Sequence, residues 1–372
     1  MSLAVLLIFP YVMEVRGQEG KPAASAEAKP AISLEEIKNL LGMNINLQGG
    51  YIFNFENPDT GINRQRIFDQ KDNSFLLDLA QIQFAKDPAV GGLGYKLKLS
   101  MGETAKYIHS EGLGNPNDEF DLTEAYVDYV APLGKGLKLR FGKFVTYHSA
   151  EVIEAKDNFN YSRSFLFNYS VPFTHTGLMA GYKFSEAFTA NIYLVNGWDV
   201  TTDNNKGKTL GAGLTLTPLG PLQLTFNFMY GPEQPNSSND RFLFDWVGAF
   251  KAMKNLTFMA NVDYGFEDKD PLNRGQNSGW YGVAFYSKYD FTDSFSASIR
   301  AEYFNDKDGV RTGIAQELKE ITLTADFKIA KNLLLRPEYR HDWSDKNAFD
   351  SKHIPLDSKS QDTIALGVMY TW

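Results

Sequence analysis

From Met43 onward the chain alternates apolar and polar residues with period two, in one short segment after another, and this constrains its fold more than any motif does. Alternation at that period puts successive side chains on opposite faces, so each segment reads as a strand with one greasy and one wet face. In the first, Ile45, Leu47, Gly49, Tyr51, Phe53 and Phe55 oppose Asn44, Asn46, Gln48 and Asn54. Leu222, Leu224, Phe226 and Phe228 oppose Gln223, Thr225 and Asn227 in the same way. The final segment carries Ile364, Leu366, Val368, Tyr370 and the terminal Trp372. Sixteen such strands can be counted.

The connections have their own rhythm. Short turns fall at 87–92, 132–136, 185–187, 218–221, 253–255, 291–294 and 330–332. Long polar segments fall between them, near 56–73, 102–119, 144–173, 197–208, 231–240, 267–277, 305–315 and 344–360. Strict alternation of tight and long links is what an up-and-down barrel with one plain and one elaborate rim requires. A lipid-embedded sheet must pair every backbone amide, which sixteen antiparallel strands achieve only by joining first to last. The predicted fold class is therefore all-β, a 16-stranded antiparallel transmembrane β-barrel, wide enough inside to hold water.

Composition agrees. Aromatic residues make up 14% of the chain, with 28 Phe, 19 Tyr and 5 Trp, which suits strand faces and interfacial girdles. Mean hydropathy is slightly negative, as expected where only alternate residues are apolar, and no apolar run is long enough for a transmembrane helix. The chain has no Cys, so disulfide and thiolate chemistry are excluded. A net charge of −8 speaks against nucleic acid as a partner. Ahead of the barrel, residues 1–17 read as a signal peptide with Leu3 to Phe9 as its apolar core. Residues 18–42 read as a linker ending in a short helix, with Ser33 and Glu36 forming a capping box and Gly42 as the stop. The barrel proper is assigned to 43–372.

The segment 144–173 is the unusual one. About thirty irregular residues between two alternating strands are normally functional, and this stretch is read as folding back into the lumen to narrow it. Several of its residues, with their neighbours, resemble the OmpL-like β-barrel porins of Gram-negative outer membranes: Gly142-Lys143-Phe144, Glu151-Val152, Asn160-Tyr161-Ser162-Arg163-Ser164, Pro172 to Gly177, and Val195-Asn196-Gly197-Trp198-Asp199. Ala150 stands where that pattern leads one to expect glycine before Glu151. The resemblance implies an integral outer-membrane porin for ions and small hydrophilic solutes, surrounded by lipid and lipopolysaccharide, and a homotrimer by analogy with porins of this strand number. It carries no particular solute and no cofactor.

Within the loop, Tyr147, His148, Glu151, Glu154, Asp157 and Arg163 are the candidate constriction residues, facing a wall of Lys98, Arg140, Lys183, Arg300, Arg336 and Arg340. Opposed charges of this kind set up a transverse field that ranks ions. The plainer alternative is that the wall charges are simply paired, Asp128 with Arg140 and Asp326 with Arg336 across neighbouring strands. The loop aromatics Tyr147, Phe159, Tyr161, Phe165, Phe167 and Tyr169 suggest either a sugar-stacking slide or rings that pin the loop to the wall. A sugar- or anion-specific channel and a non-conducting structural or adhesive barrel remain as alternatives. Enzyme readings are poor, because the five His are scattered without metal-ligand or triad spacing. Asp268/Asp270 and Asp306/Asp308 could bind calcium but more commonly lie solvated in such loops.

Overall fold

A computed structural model describes residues 33–372; the signal peptide and most of the linker expected upstream lie outside the described residues. A helix, α1 (Leu34–Leu41), leads into sixteen strands: β1 (Met43–Asn54), β2 (Ser74–Lys86), β3 (Leu93–Met101), β4 (Phe120–Ala131), β5 (Leu137–Val145), β6 (Thr174–Ser185), β7 (Phe188–Val195) and β8 (Thr209–Leu219). β9 (Leu222–Pro232), β10 (Asp240–Met253), β11 (Leu256–Asp270), β12 (Gln276–Asp290), β13 (Phe295–Asp306), β14 (Gln316–Ala330), β15 (Leu333–Ser344) and β16 (Ser360–Thr371) follow. Each strand pairs antiparallel with its neighbours in sequence, and β1 pairs antiparallel with β16, so the sheet is a closed barrel with no free edge.

The alternation acts as expected. On β13 and β14, Ile299, Ile321 and Leu323 point out to lipid and are exposed in the isolated chain, whereas Arg300, Glu320 and Thr322 point inward and are buried. The capping box at α1 forms: Ser33 Oγ accepts from Glu36 N at 3.2 Å, and Glu36 Oε2 accepts from Ser33 N at 2.7 Å. Gly42 ends the helix at φ +59°, where an added Cβ would lie 1.8 Å from the Ala85 carbonyl oxygen, so the stop needs glycine on both counts. Lys38 of α1 sits 4.5 Å from the Trp372 ring, placing both ends of the barrel chain on the plain rim.

Several features differ from the sequence reading: the link expected near 267–277 shrinks to 271–275, because β11 runs on to Asp270 and β12 begins at Gln276. Phe144 and Val145 stay in β5, in register with His175 and Thr174, so the long loop runs from 146 to 173. The connection after β3 contains a five-residue helix, α2 (Glu103–Tyr107), too short to leave a periodic signal.

Because Ile299 faces hydrocarbon near mid-strand, Ile299→Arg is expected to destabilise the refolded barrel in lipid by about 2–4 kcal/mol, read from denaturant unfolding. Thr189→Arg on the inner face of β7 should cost far less.

Candidate functional site: the loop folded into the lumen

A loop of 28 residues with almost no secondary structure carries many backbone N–H and C=O groups that must find partners once buried. The inner wall supplies them. Arg300 Nη1 donates to Ser162 O at 2.7 Å, Arg336 Nη1 to Ala155 O at 2.6 Å and to Asn160 O at 3.0 Å, and Arg340 Nη1 to Arg163 O at 2.7 Å. Two carboxylates complement them. Glu338 accepts from Tyr161 N and Ser162 N at 2.6 and 2.9 Å, and Glu302 accepts from Phe165 N and Leu166 N, both at 2.6 Å. Each arginine is neutralised by a neighbour on the wall: Arg300 by Glu320, Arg336 by Asp326 and Arg340 by Asp342, all at 2.6 Å. Charge-assisted bonds of this kind fix geometry as well as adding energy.

The start of the loop is tied to its own end and to β9 and β11. Thr146 N donates to Phe173 O at 2.9 Å and closes the neck. Asn227 Nδ2 donates to Tyr147 O at 2.8 Å, and Ala150 N donates to Asn261 Oδ1 at 2.9 Å. The left-handed position that the family pattern leads one to seek before Glu151 falls on Ser149, φ +81°. Farther along, Glu154 Oε1 accepts from Lys98 Nζ at 2.8 Å and from Gln81 Nε2 at 2.9 Å.

Filled in this way, the lumen keeps a cavity of about 660 Å³ between the loop and the wall of β1 to β3. Tyr147, His148, Glu151, Glu154, Asp157 and Lys98 all line it, so half of the residues picked from sequence do come together. Most of the others serve the loop. Arg300, Arg336 and Arg340 are fully buried beneath it and present no charge to open water. Arg163 is buried too, donating to Tyr161 O at 2.7 Å and to Ile153 O, with its guanidinium over the Phe68 ring. Arg140 is held by Asp128 at 2.8 Å and stacks on Tyr126 at 3.6 Å. Lys183 lies at the plain rim in an exposed pair with Glu186, at the end of β6 and away from the narrowing. The transverse field expected between Lys98 and Glu154 is instead a direct salt bridge.

Sequence reasoning missed the amides that line the cavity, Asn44, Asn46, Gln81 and Gln83. The signal was present in the runs Asn44-Ile45-Asn46 and Gln81-Ile82-Gln83, each with two uncharged polar residues on the wet face of its strand. Of the six loop aromatics, only Tyr147 and Phe167 border the cavity, while Tyr161 and Phe165 are buried in apolar clusters. They pin the loop and form no continuous slide. Asp306 and Asp270 are buried loop caps and not solvated charges: Asp306 accepts from the backbone N–H of Val310, Arg311 and Thr312, and Asp270 from Leu272 N.

Removing one partner of a buried ion pair strands the other, at a cost of about 3–5 kcal/mol. Arg300→Met, which strands Glu151 and Glu320, should therefore lower stability to denaturant by about that amount and free the loop to proteolysis. Acid should act at a different point. Burial, with His175 alongside, holds the His148 imidazole well below its ordinary pKa, so the folded state keeps it neutral. That contribution is complete above the unfolded value of about 6.5 and is lost progressively as pH falls below it. Burial pushes Glu154 up, but Lys98 and Gln81 outweigh it and hold the carboxyl at about 2. Its contribution, present above the ordinary value near 4.5, is lost only as pH falls toward 2. Between pH 6 and 4 the loop base should loosen while the Lys98 bridge holds, raising single-channel conductance, and His148→Gln should flatten that dependence.

The comparisons agree with this geometry. The family model described as "Putative beta-barrel porin-2, OmpL-like" matches residues 43–372. No curated protein matches the chain. Among solved structures, an anion-selective porin from Comamonas acidovorans is 10% identical, with a TM-score of 0.61 over 89% of this chain and 98% of its own. The outer membrane channel DcaP of Acinetobacter baumannii is 12% identical, with a TM-score of 0.58 over 89% and 96%. OmpT of Vibrio cholerae, folded in vitro and described as a trimer form, is 13% identical, with a TM-score of 0.58 over 89% and 98%. At such identities these structures show a shared fold and no more. The family match extends over the whole barrel, and the chain belongs to the OmpL-like β-barrel porins of the outer membrane.

Proposed function

We propose that small hydrophilic solutes cross on the β1–β3 side of the lumen, through the cavity under residues 145–157, with little preference between anions and cations. Tyr147, His148, Glu151, Glu154 and Asp157 form the loop side of this constriction and Lys98 the wall side. One observation carries the reading: the lining charges balance, three bases (Lys96, Lys98, Lys156) against three acids (Glu151, Glu154, Asp157), and most are already paired. Lys96 and Lys98 hold Glu124 at 2.7 and 3.0 Å, Lys98 also holds Glu154, Lys156 holds Asp157 at 2.6 Å, and Glu151 is held by Arg300 at 2.8 Å. Paired charges project little net field, which leaves the amides of Asn44 and Gln83 and the Asn46 Oδ1 to meet a neutral solute, Gln81 being held by Asn46, Ser100 and Glu154. A second reading, selective passage of a neutral sugar, draws on the same amides with Tyr147 beside them. The trimeric form described for OmpT supports a homotrimer for this chain.

Planar-bilayer recording tests the proposal. The wild-type channel should conduct, with a reversal potential near zero in a salt gradient. Glu154→Gln, which leaves Lys98 underneutralised, should shift that potential toward anions, and deletion of Tyr147 to Asn168 should raise conductance. A sealed wild-type barrel, or a strong ion preference indifferent to Glu154→Gln, would overturn the reading. Osmotic swelling with neutral sugars of graded size separates general passage from a sugar-specific route.

A further inference from the structure

We propose that Tyr161 is the positioning residue that registers the lumen loop on the barrel's closing seam, by seating its ring in a notch left by Gly50 of β1 and Gly367 of β16. The two glycines are partners in register across the seam. A Cβ at Gly50 would lie 2.1 Å from the Tyr161 hydroxyl oxygen, and one at Gly367 would lie 2.5 Å from ring carbon Cδ2. Neither glycine has a positive φ, so space and not backbone conformation is what they provide. Facing glycines are a poor choice for the pair that closes a sheet, because they carry no side chain to pack. An aromatic ring laid over them makes good that loss.

The inner wall is apolar at the seam, as it also is beneath the loop's two larger clusters. Ile52 and Met369, on the inward faces of β1 and β16 two residues from the glycines, are buried with Ala155 and Tyr161 in one apolar cluster that Ala365 joins. Around this greasy patch the ring is fixed at both ends. Its hydroxyl donates to Asp78 of β2, its backbone N–H donates to Glu338 of β15, and its carbonyl accepts from Arg163. One residue thus touches β15, β16, β1 and β2, the four strands that flank the closure. An unclosed barrel offers no such notch, so the loop docks in its final place only once the first strand has met the last. In its turn the docked ring holds the seam together.

That the docked loop sets the channel's width rests on the proposed constriction, so the test reads loop position and conductance separately. The chain has no Cys, and Ser162, next to Tyr161 and 1% exposed, becomes a near-isosteric reporter as Ser162→Cys. In folded barrels, checked by their resistance to SDS without heating, a water-soluble maleimide should label the reporter at least about tenfold faster when Gly367→Ala or Gly50→Ala is present, as for a locally opened segment. Conductance should rise about twofold as the constriction withdraws. In a Tyr161→Ala background the reporter should already be open and neither glycine substitution should add to it, as coupled positions require. If Gly367→Ala does not fold, Gly50→Ala and Tyr161→Ala carry the test. A reporter that stays protected in those variants, or glycine effects that persist without the Tyr161 ring, would overturn the proposal. Labelling that rises while conductance stays unchanged would support the notch and refute the constriction.

Discussion

Backbone amides that no strand can pair are the constraint on which the interior depends. The wall of a barrel satisfies its own backbone by closure, but a chain segment laid across the lumen has no ladder to join. Here the inner faces of β13 and β15 act as the missing partner, with arginines aimed at loop carbonyls and glutamates aimed at loop amides. Each arginine is paired with a wall carboxylate, while Glu302 and Glu338 are met by loop N–H groups, so the loop is held by fixed ions and dipoles. This explains how a segment of 28 residues with only two short helical turns can be buried and still be well defined.

The arrangement makes the lumen lopsided. Charge-rich strands β13 to β15 are consumed by the loop, and water is left the side of β1 to β3, where the wall is amide and lysine. What a solute meets is therefore decided less by the total charge of the interior than by which charges remain after the loop has docked. A wall arginine is part of a selectivity filter only if no carbonyl or carboxylate has claimed it, and at Arg300, Arg336 and Arg340 both have.

Much of the barrel was legible beforehand because period-two alternation is enforced by the solvent on each face and needs no knowledge of neighbours. Strand limits such as 120–131 and 333–344 follow the last alternating residue closely, and the cross-strand pairs Asp128 with Arg140 and Asp326 with Arg336 follow from turn length alone. The inward loop announced itself by its length and polarity. Its contents did not. Arg163 and Glu154 look alike on paper as charged loop residues, yet one is folded against its own loop's carbonyls and the other bridges to Lys98.

The sequence alone determined that lipid lies outside sixteen strands and water within, because side-chain polarity at period two is a local property of the chain. Tertiary structure alone decided which inward charges stay free and where the loop comes to rest. Tyr161 and the glycines at 50 and 367 are separated by more than a hundred residues on one side and two hundred on the other. Nothing along the chain links them, and their fit exists only after the first strand and the last have closed the barrel.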